Sequence, residues 1–175
     1  MPDTTYDIAI VGSGPAGYTA AIRAGQYGLK TALIEKDPYL GGTCLHVGCI
    51  PTKALLFNAE LWDHLKDASE YGIEGVGSRK LNWPAILDRK GKVVDKHAKG
   101  LQFLMRKNKV DVVKGFGKLT GPAQGGVHTI EIKDGSKASQ LKTKNVILAM
   151  GSEARMIPGL QPDDRVLTNI EILKL

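Results

Sequence analysis

A glycine-rich turn between a short apolar run and a helix-like segment constrains the fold of this chain more than any other feature. Residues 6–11 read YDIAIV, and the segment GSGPAG follows directly at 12–17. Small and apolar residues then continue to about residue 27, as in a helix that packs closely on a sheet. A second apolar run occupies 30–35. This order predicts a strand–helix–strand unit of a buried parallel sheet.

The spacing of three glycines in this turn matches the GxGxxG fingerprint of dinucleotide-binding proteins. Gly12 would permit the tight turn, Gly14 would let the backbone approach a pyrophosphate, and Gly17 would let helix and strand pack closely. The helix N-terminus offers free N–H groups to that pyrophosphate. Glu35 closes the second strand, where an acid accepts hydrogen bonds from a ribose. A purely structural turn is the alternative, but the agreement of the whole unit favours a dinucleotide.

Two cysteines, Cys44 and Cys49, are the second informative feature, and both have glycines nearby. Cys49 is expected to begin a helix, whose N-terminus would favour a thiolate together with the nearby Lys53. Cysteine pairs in reducing compartments are more often catalytic than structural. Inert cysteines, a structural disulfide and a zinc site that uses His46 or His64 remain alternatives. Zinc usually requires four well-spaced ligands, and the sequence has no second CxxC or HxxxH.

The combination of these two features resembles the pyridine nucleotide–disulphide oxidoreductase family. The segment GGTCLHVGCIPTK at 41–53 is similar to the family pattern GGTCxxxGCxPxK, and CIPTKALL at 49–56 resembles the CIPSKALL of its dihydrolipoamide dehydrogenase branch. A glutathione- or mercuric-reductase-like member of the family is an alternative, as is a non-catalytic FAD- or NAD-binding module. Further similarity at 99–101, 108–110, 115–118 and 145–152 extends the resemblance over essentially the whole chain.

The resemblance implies that FAD binds this part of the chain and that NAD binds a later domain. It implies a redox-active Cys44–Cys49 disulfide, with Cys49 beside the isoalloxazine, Cys44 as the interchange thiol and Lys53 near flavin N5. Dihydrolipoamide would reduce the disulfide, and electrons would pass through FAD to NAD⁺. The cofactor contacts implied by the resemblance are Gly12, Gly14, Pro15, Ala16, Gly17, Glu35, Lys36, Gly42, Thr43, Cys44, Gly48, Cys49, Lys53, Gly117, Ala149, Gly151 and Ser152.

Partners also follow from the resemblance: a small dithiol or a lipoyl domain as substrate, a homodimer, and a place in 2-oxo acid dehydrogenase complexes. The family's histidine–acid base has no counterpart, because none of His46, His64, His97 and His128 has an acid five residues on. A second GxGxxG is also lacking. We therefore expect that this chain alone does not complete the NAD-linked reaction.

The predicted fold class is α/β: a Rossmann-like FAD-binding domain with a parallel sheet, flanking helices and a small antiparallel excursion. Residues 1–152 would form this domain, and 153–175 would be a linker toward a missing NAD-binding domain, so that the chain looks truncated. Helices are expected at about 49–71 and from the N-cap Asn82 to about 107. The excursion would use strands at 110–113, 127–132 and 140–142, with a loop at Gly115–Gly117, and a last buried strand would occupy 145–150.

The formal charge of +6 comes largely from the segment between Arg89 and Lys118. Apolar residues recur among those charges at helical spacing, which indicates the solvated face of an amphipathic helix rather than a nucleic-acid surface. No apolar run approaches the about 20 residues that cross a bilayer. Residues 1–5 lack the pattern of a secretory signal. We therefore expect a cytoplasmic protein that binds neither nucleic acid nor membrane, and no metal site.

Overall fold

The computed structural model describes residues 5–175. The prediction that residues 1–5 are not a secretory signal therefore lies almost entirely outside the described residues. Six strands form one sheet, in the order β3-β2-β1-β6-β5-β4. The strands are β1 Thr5–Val11, β2 Thr31–Glu35, β3 Asp111–Lys114, β4 Phe116–Leu119, β5 His128–Asp134 and β6 Lys137–Leu148. The helices are α1 Pro15–Gln26, α2 Gly42–Val47, α3 Cys49–His64, α4 Trp83–Lys107 and α5 Asn169–Ile172, with a 3-10 turn at Ala68–Tyr71.

The sheet has a parallel part and an antiparallel part that share strand β6. The parallel part is β3-β2-β1-β6, and the antiparallel part is β6-β5-β4. The second half of β6 pairs with β1, so that Ala9 lies beside Val146. Its first half pairs with β5, so that Ile130 lies beside Leu141. The predicted α/β class with a parallel sheet and an antiparallel excursion is therefore confirmed.

The strand alternation divides the core into two layers. Ile10 and Leu33 point to the helical side, where they pack with Ala21 of α1 and with Leu101 and Met105 of α4. Their neighbours along the strands point the other way. That second layer is formed by Ala9, Val11, Ala32, Ile34, Ile130, Ile132 and Leu141, so the antiparallel part covers this face of the parallel strands.

Several predicted elements occur where they were expected. The first strand, helix and second strand are present, and the Asn82 side chain caps α4 by accepting a hydrogen bond from the Ala85 N–H at 3.2 Å. The buried residues Leu101 and Met105 confirm that α4 is amphipathic, although Leu104 lies on its exposed side. No helix in the described range is long and apolar enough to cross a membrane.

Four predictions about the fold are wrong. The strand predicted at 110–113 is β3, which extends the parallel part beside β2 instead of joining the excursion, because the long helix α4 returns the chain to that edge. The predicted strands at 140–142 and 145–150 are one strand, β6, which ends at Leu148 and is largely exposed over 145–148 rather than buried. The expected loop at Gly115–Gly117 largely belongs to β4, which pairs with β5. The helix predicted to reach residue 71 ends at His64.

Candidate functional site

The turn between β1 and α1 has the geometry that its glycines suggest. Gly12 adopts a φ of +98°, and a Cβ there would lie 2.3 Å from the carbonyl oxygen of Ala149, just after β6. A Cβ on Gly17 would lie 1.8 Å from the Gly12 oxygen. Gly14 differs, because a Cβ there would meet nothing within 4 Å. Two glycines are therefore required by packing, whereas Gly14 borders open space.

The Glu35 carboxylate ties this turn to the loop after β2. Its Oε2 accepts hydrogen bonds from the Ser13 N–H at 2.8 Å and the Ser13 hydroxyl at 2.6 Å, and its Oε1 accepts one from the Asp37 N–H at 2.9 Å. Burial raises the pKa of Glu35, but these hydrogen bonds outweigh it and hold the pKa below its ordinary value. The fingerprint pointed to Glu35 as a ribose acceptor and gave no signal for this structural role or for the buried Ser13.

Helix α2, which the sequence did not predict, begins against the same turn. A Cβ on Gly42 would lie 2.8 Å from the Gly14 Cα. The Gly41 N–H donates to the Ser13 carbonyl oxygen at 3.0 Å. The first residues of the cysteine segment are thus in direct contact with the glycine-rich turn. The helix is only 6 residues long, which explains why no periodicity revealed it.

The two cysteines lie on successive helices as free thiols. Cys44 is inside α2 and half-buried, and Cys49 is the first residue of α3 and exposed. The break between the helices is at Gly48, where a Cβ would lie 2.8 Å from the Thr43 carbonyl oxygen. Within residues 5–175, no group of three or more His, Cys, Asp or Glu side chains could hold a metal ion.

The electrostatics of Cys44 differ from the sequence-based expectation. A hydrogen bond between its thiol and Cys49, burial, and the charge interaction with Cys49 raise the pKa of Cys44 above its ordinary value. The Cys49 N–H at the start of α3 and the charge of Lys53 act in the opposite direction but are weaker. The start of α3 and Lys53 thus favour the Cys44 thiolate, as expected, but the Cys49 side chain and burial outweigh them, so that the net pKa of Cys44 is raised.

The remaining predicted site residues differ in their packing and exposure. Gly117 lies against the side chains of Val11 and Ile34, at the ends of β1 and β2. Lys36 is exposed and forms an ion pair of 3.6 Å with Glu153. Pro15 and Ala16 are exposed at the start of α1, Thr43 at the start of α2 and Lys53 on α3, and Gly151 and Ser152 are exposed beyond β6.

Comparison with known proteins connects this geometry to a family. The family model described as pyridine nucleotide-disulphide oxidoreductase matches residues 6–175, which include the glycine-rich turn and both cysteines. The chain belongs to this family. Its α2–α3 cysteine pair and its β1–α1 turn are therefore parts of an oxidoreductase fold.

Individual relatives agree with the assignment. Dihydrolipoyl dehydrogenase from Bacillus subtilis is 47% identical over 98% of this chain and 37% of its own length. Dihydrolipoyl dehydrogenase from Cupriavidus necator is 42% identical over 95% of this chain and 36% of its own length. The crystal structure of LpdA from Mycobacterium tuberculosis superposes with a TM-score of 0.82 at 28% identity, covering 96% of this chain and 37% of that one. The chain thus spans little more than a third of the length of these relatives.

Proposed function

We propose that this chain is the FAD-binding, disulfide-bearing part of a dihydrolipoamide dehydrogenase. The observation that carries this proposal is that α2 and α3, which meet at Gly48, bring Cys44 and Cys49 together beside the glycine-rich turn. The relatives described above support it, since they are dihydrolipoyl dehydrogenases that match nearly the whole chain.

The residues around the turn fit a dinucleotide pyrophosphate. Helix α1 has 12 residues and no side-chain cap at its N-terminus, so its first N–H groups are available to an anion. Gly14 is the N-cap of this helix, and a Cβ there would meet nothing within 4 Å, so the backbone at the helix start is open to a ligand. Pro15, Ala16 and Thr43 would border the same ligand, and Lys36, Gly117, Ala149, Gly151 and Ser152 are proposed as its further contacts. FAD, when bound, would supply two-electron transfer between the cysteine pair and NAD⁺.

The cysteine pair would exchange its disulfide with a dithiol substrate. A substrate thiolate attacks the sulfur of Cys44, the Cys44–Cys49 bond breaks, and Cys49 leaves as a thiolate. The second substrate thiol then attacks the mixed disulfide and releases Cys44. The substrate is oxidised to a disulfide, and the two cysteines receive two electrons. The charge of Lys53 lowers the pKa of Cys44, which assists its departure as a thiolate in this second step.

The remaining features of the enzyme would come from outside this chain. Because the relatives are almost three times as long, we place the NAD site in a later domain, with residues 1–152 as the FAD domain and 153–175 as the segment between the two. A lipoyl domain or a small dithiol is the proposed substrate, and a homodimer within a 2-oxo acid dehydrogenase complex is the proposed assembly. A cytoplasmic location suits a catalytic cysteine pair.

Disulfide exchange by the chain itself tests the proposed chemistry. The reduced chain is mixed with oxidised lipoamide, remaining thiols are alkylated, and the mass of the chain is measured. We expect loss of two hydrogens, with Cys44 and Cys49 joined in one peptide and dihydrolipoamide formed in equal amount. Cys44→Ser and Cys49→Ser variants are the matched controls, and neither should release dihydrolipoamide. Thiols that remain alkylatable after equilibration with excess oxidised lipoamide would contradict the proposal.

A further inference from the structure

A hydrogen bond reaches the segment between the two cysteines from the far end of the chain. The side-chain amide of Asn169 donates through Nδ2 to the carbonyl oxygen of Val47 at 2.7 Å, across 122 positions of sequence. Val47 is the last residue of α2, and its carbonyl is among those that have no partner within the helix. The contact therefore joins residues 153–175, predicted to be a linker, to the redox segment.

We propose that Asn169 is a positioning residue for the Cys44–Cys49 pair, favouring the disulfide by holding the end of α2 in place. This inference rests on the proposed redox function of the pair. Val47 lies three residues after Cys44 and two before Cys49. A restraint at that point limits how far the two helix ends can separate. Restricting their separation raises the effective concentration of each thiol toward the other, which favours the bond between them.

The cysteine segment is also held from within. The His46 ring nitrogen Nε2 donates to the Leu40 carbonyl oxygen at 2.8 Å. Gly48 has no room for a side chain against the Thr43 carbonyl. Both of these features act between residues 40 and 48. The start of α2 is tied to the rest of the fold by the hydrogen bond from Gly41 to Ser13, and Asn169 ties its end.

The donor itself is held by a rigid local structure. Asn169 follows the N-cap Thr168, whose N–H and hydroxyl both donate to the Glu171 carboxylate, while the Thr168 hydroxyl accepts from the Ile170 N–H. This reciprocal capping box fixes the start of α5. The end of the segment is anchored to α4, since Trp83 donates to the Leu175 carbonyl at 2.9 Å and Lys90 donates to the Leu173 carbonyl.

The reduction potential of the cysteine pair tests this role. The 175-residue chain is equilibrated with mixtures of reduced and oxidised glutathione, and the fraction of Cys44–Cys49 disulfide is measured by alkylation and mass spectrometry. We expect Asn169→Ala and the nearly isosteric Asn169→Asp to lower the equilibrium constant for disulfide formation by about three- to tenfold, because each loses the amide donor. This corresponds to a potential about 15–30 mV less negative.

Asn108 provides the matched control. Its amide also donates to a helix carbonyl, that of Leu104 at 2.8 Å, but at the end of α4 rather than beside the cysteines. Asn108→Ala should leave the potential unchanged, and circular dichroism checks that each variant is folded. An unchanged or more negative potential in folded Asn169 variants overturns the inference, as does an equal shift in Asn108→Ala. A wild-type chain that forms no disulfide overturns the proposed function instead.

Discussion

The pKa values of Cys44 and Glu35 are set by neighbours that their sequence motifs did not reveal. The Cys44 thiol is held protonated chiefly by Cys49, and Glu35 is held ionised by hydrogen bonds from Ser13 and Asp37. Each residue type was recognisable from its motif. Its protonation behaviour was not, because it depends on which atoms lie within hydrogen-bonding distance after folding.

The raised pKa of Cys44 predicts that its reactivity increases mainly at high pH. Only the thiolate reacts with alkylating agents, so the rate of Cys44 alkylation should rise with pH to a midpoint above the ordinary value of 9.0. Peptide mass spectrometry after timed iodoacetamide treatment distinguishes Cys44 from Cys49. Cys49→Ala should lower the midpoint, because it removes the hydrogen bond that raises the pKa. A wild-type midpoint at or below the ordinary value would contradict this account.

Replacement of Glu35 by glutamine should destabilise the fold. The amide nitrogen cannot accept the hydrogen bonds that one carboxylate oxygen accepts, so we expect the free energy of unfolding at pH 7 to fall by about 1–3 kcal/mol. Because folding lowers the Glu35 pKa, its contribution is complete above the ordinary value of 4.5 and is lost as pH falls through the folded-state pKa. The difference between variant and wild type should therefore shrink in acid.

Urea unfolding at pH 7 and at about pH 3 measures both effects of the Glu35 substitution. Glu153→Gln is the control, since the Glu153 side chain is 90% exposed in its ion pair with Lys36 and should contribute little. Equal stability of Glu35→Gln and wild type at pH 7 would show that the hydrogen bonds to Ser13 and Asp37 do not hold the turn together.

Helices and strands marked by a periodic pattern or a specific turn were predictable from the sequence. A very short helix and the pairing partners of strands were not. The β1–α1–β2 unit and α4 follow from the glycine-rich turn, helical spacing and the Asn82 cap. Helix α2 is too short for periodicity to show. The direction of β3 and the continuity of β6 depend on pairing with strands that are remote in sequence, which composition does not encode.

Two glycines in one turn make a matched test of structural and ligand-binding roles. Gly17→Ala places a methyl group against the Gly12 carbonyl oxygen, and we expect it to lower the free energy of unfolding by about 1–3 kcal/mol or more. Gly14→Ala meets open space and should cost less. In Gly14→Ala the added methyl group would lie where the pyrophosphate approaches α1, so the FAD affinity of this variant should fall about tenfold or more.

Urea unfolding and FAD fluorescence titration separate these two effects. A Gly14→Ala chain that binds FAD as tightly as wild type would show that the open space at this glycine is not the pyrophosphate site. A Gly17→Ala chain of wild-type stability would show that the close approach of α1 to the turn can relax at little cost.

At the scale of the whole molecule, the carboxyl ends of β1, β2 and β6 bring the glycine-rich turn, the start of α2 and Ala149 together. Ligands of open parallel sheets bind beyond this edge. The sequence identified both motifs and the family, but it did not predict that α2 would join the cysteine segment to the turn. It also did not predict that residues 153–175 would reach back to Val47. Both contacts depend on the assembled tertiary structure.

The most direct test of the central claim is the visible absorption spectrum of the purified chain with FAD, before and after reduction by a stoichiometric dithiol. The account predicts a bound-flavin spectrum that gains a long-wavelength charge-transfer band on reduction, because a Cys49 thiolate then lies against the isoalloxazine. Cys49→Ser should bind FAD without the band. A wild-type chain that binds FAD but shows no band on reduction of its disulfide would contradict the placement of the cysteine pair beside the flavin.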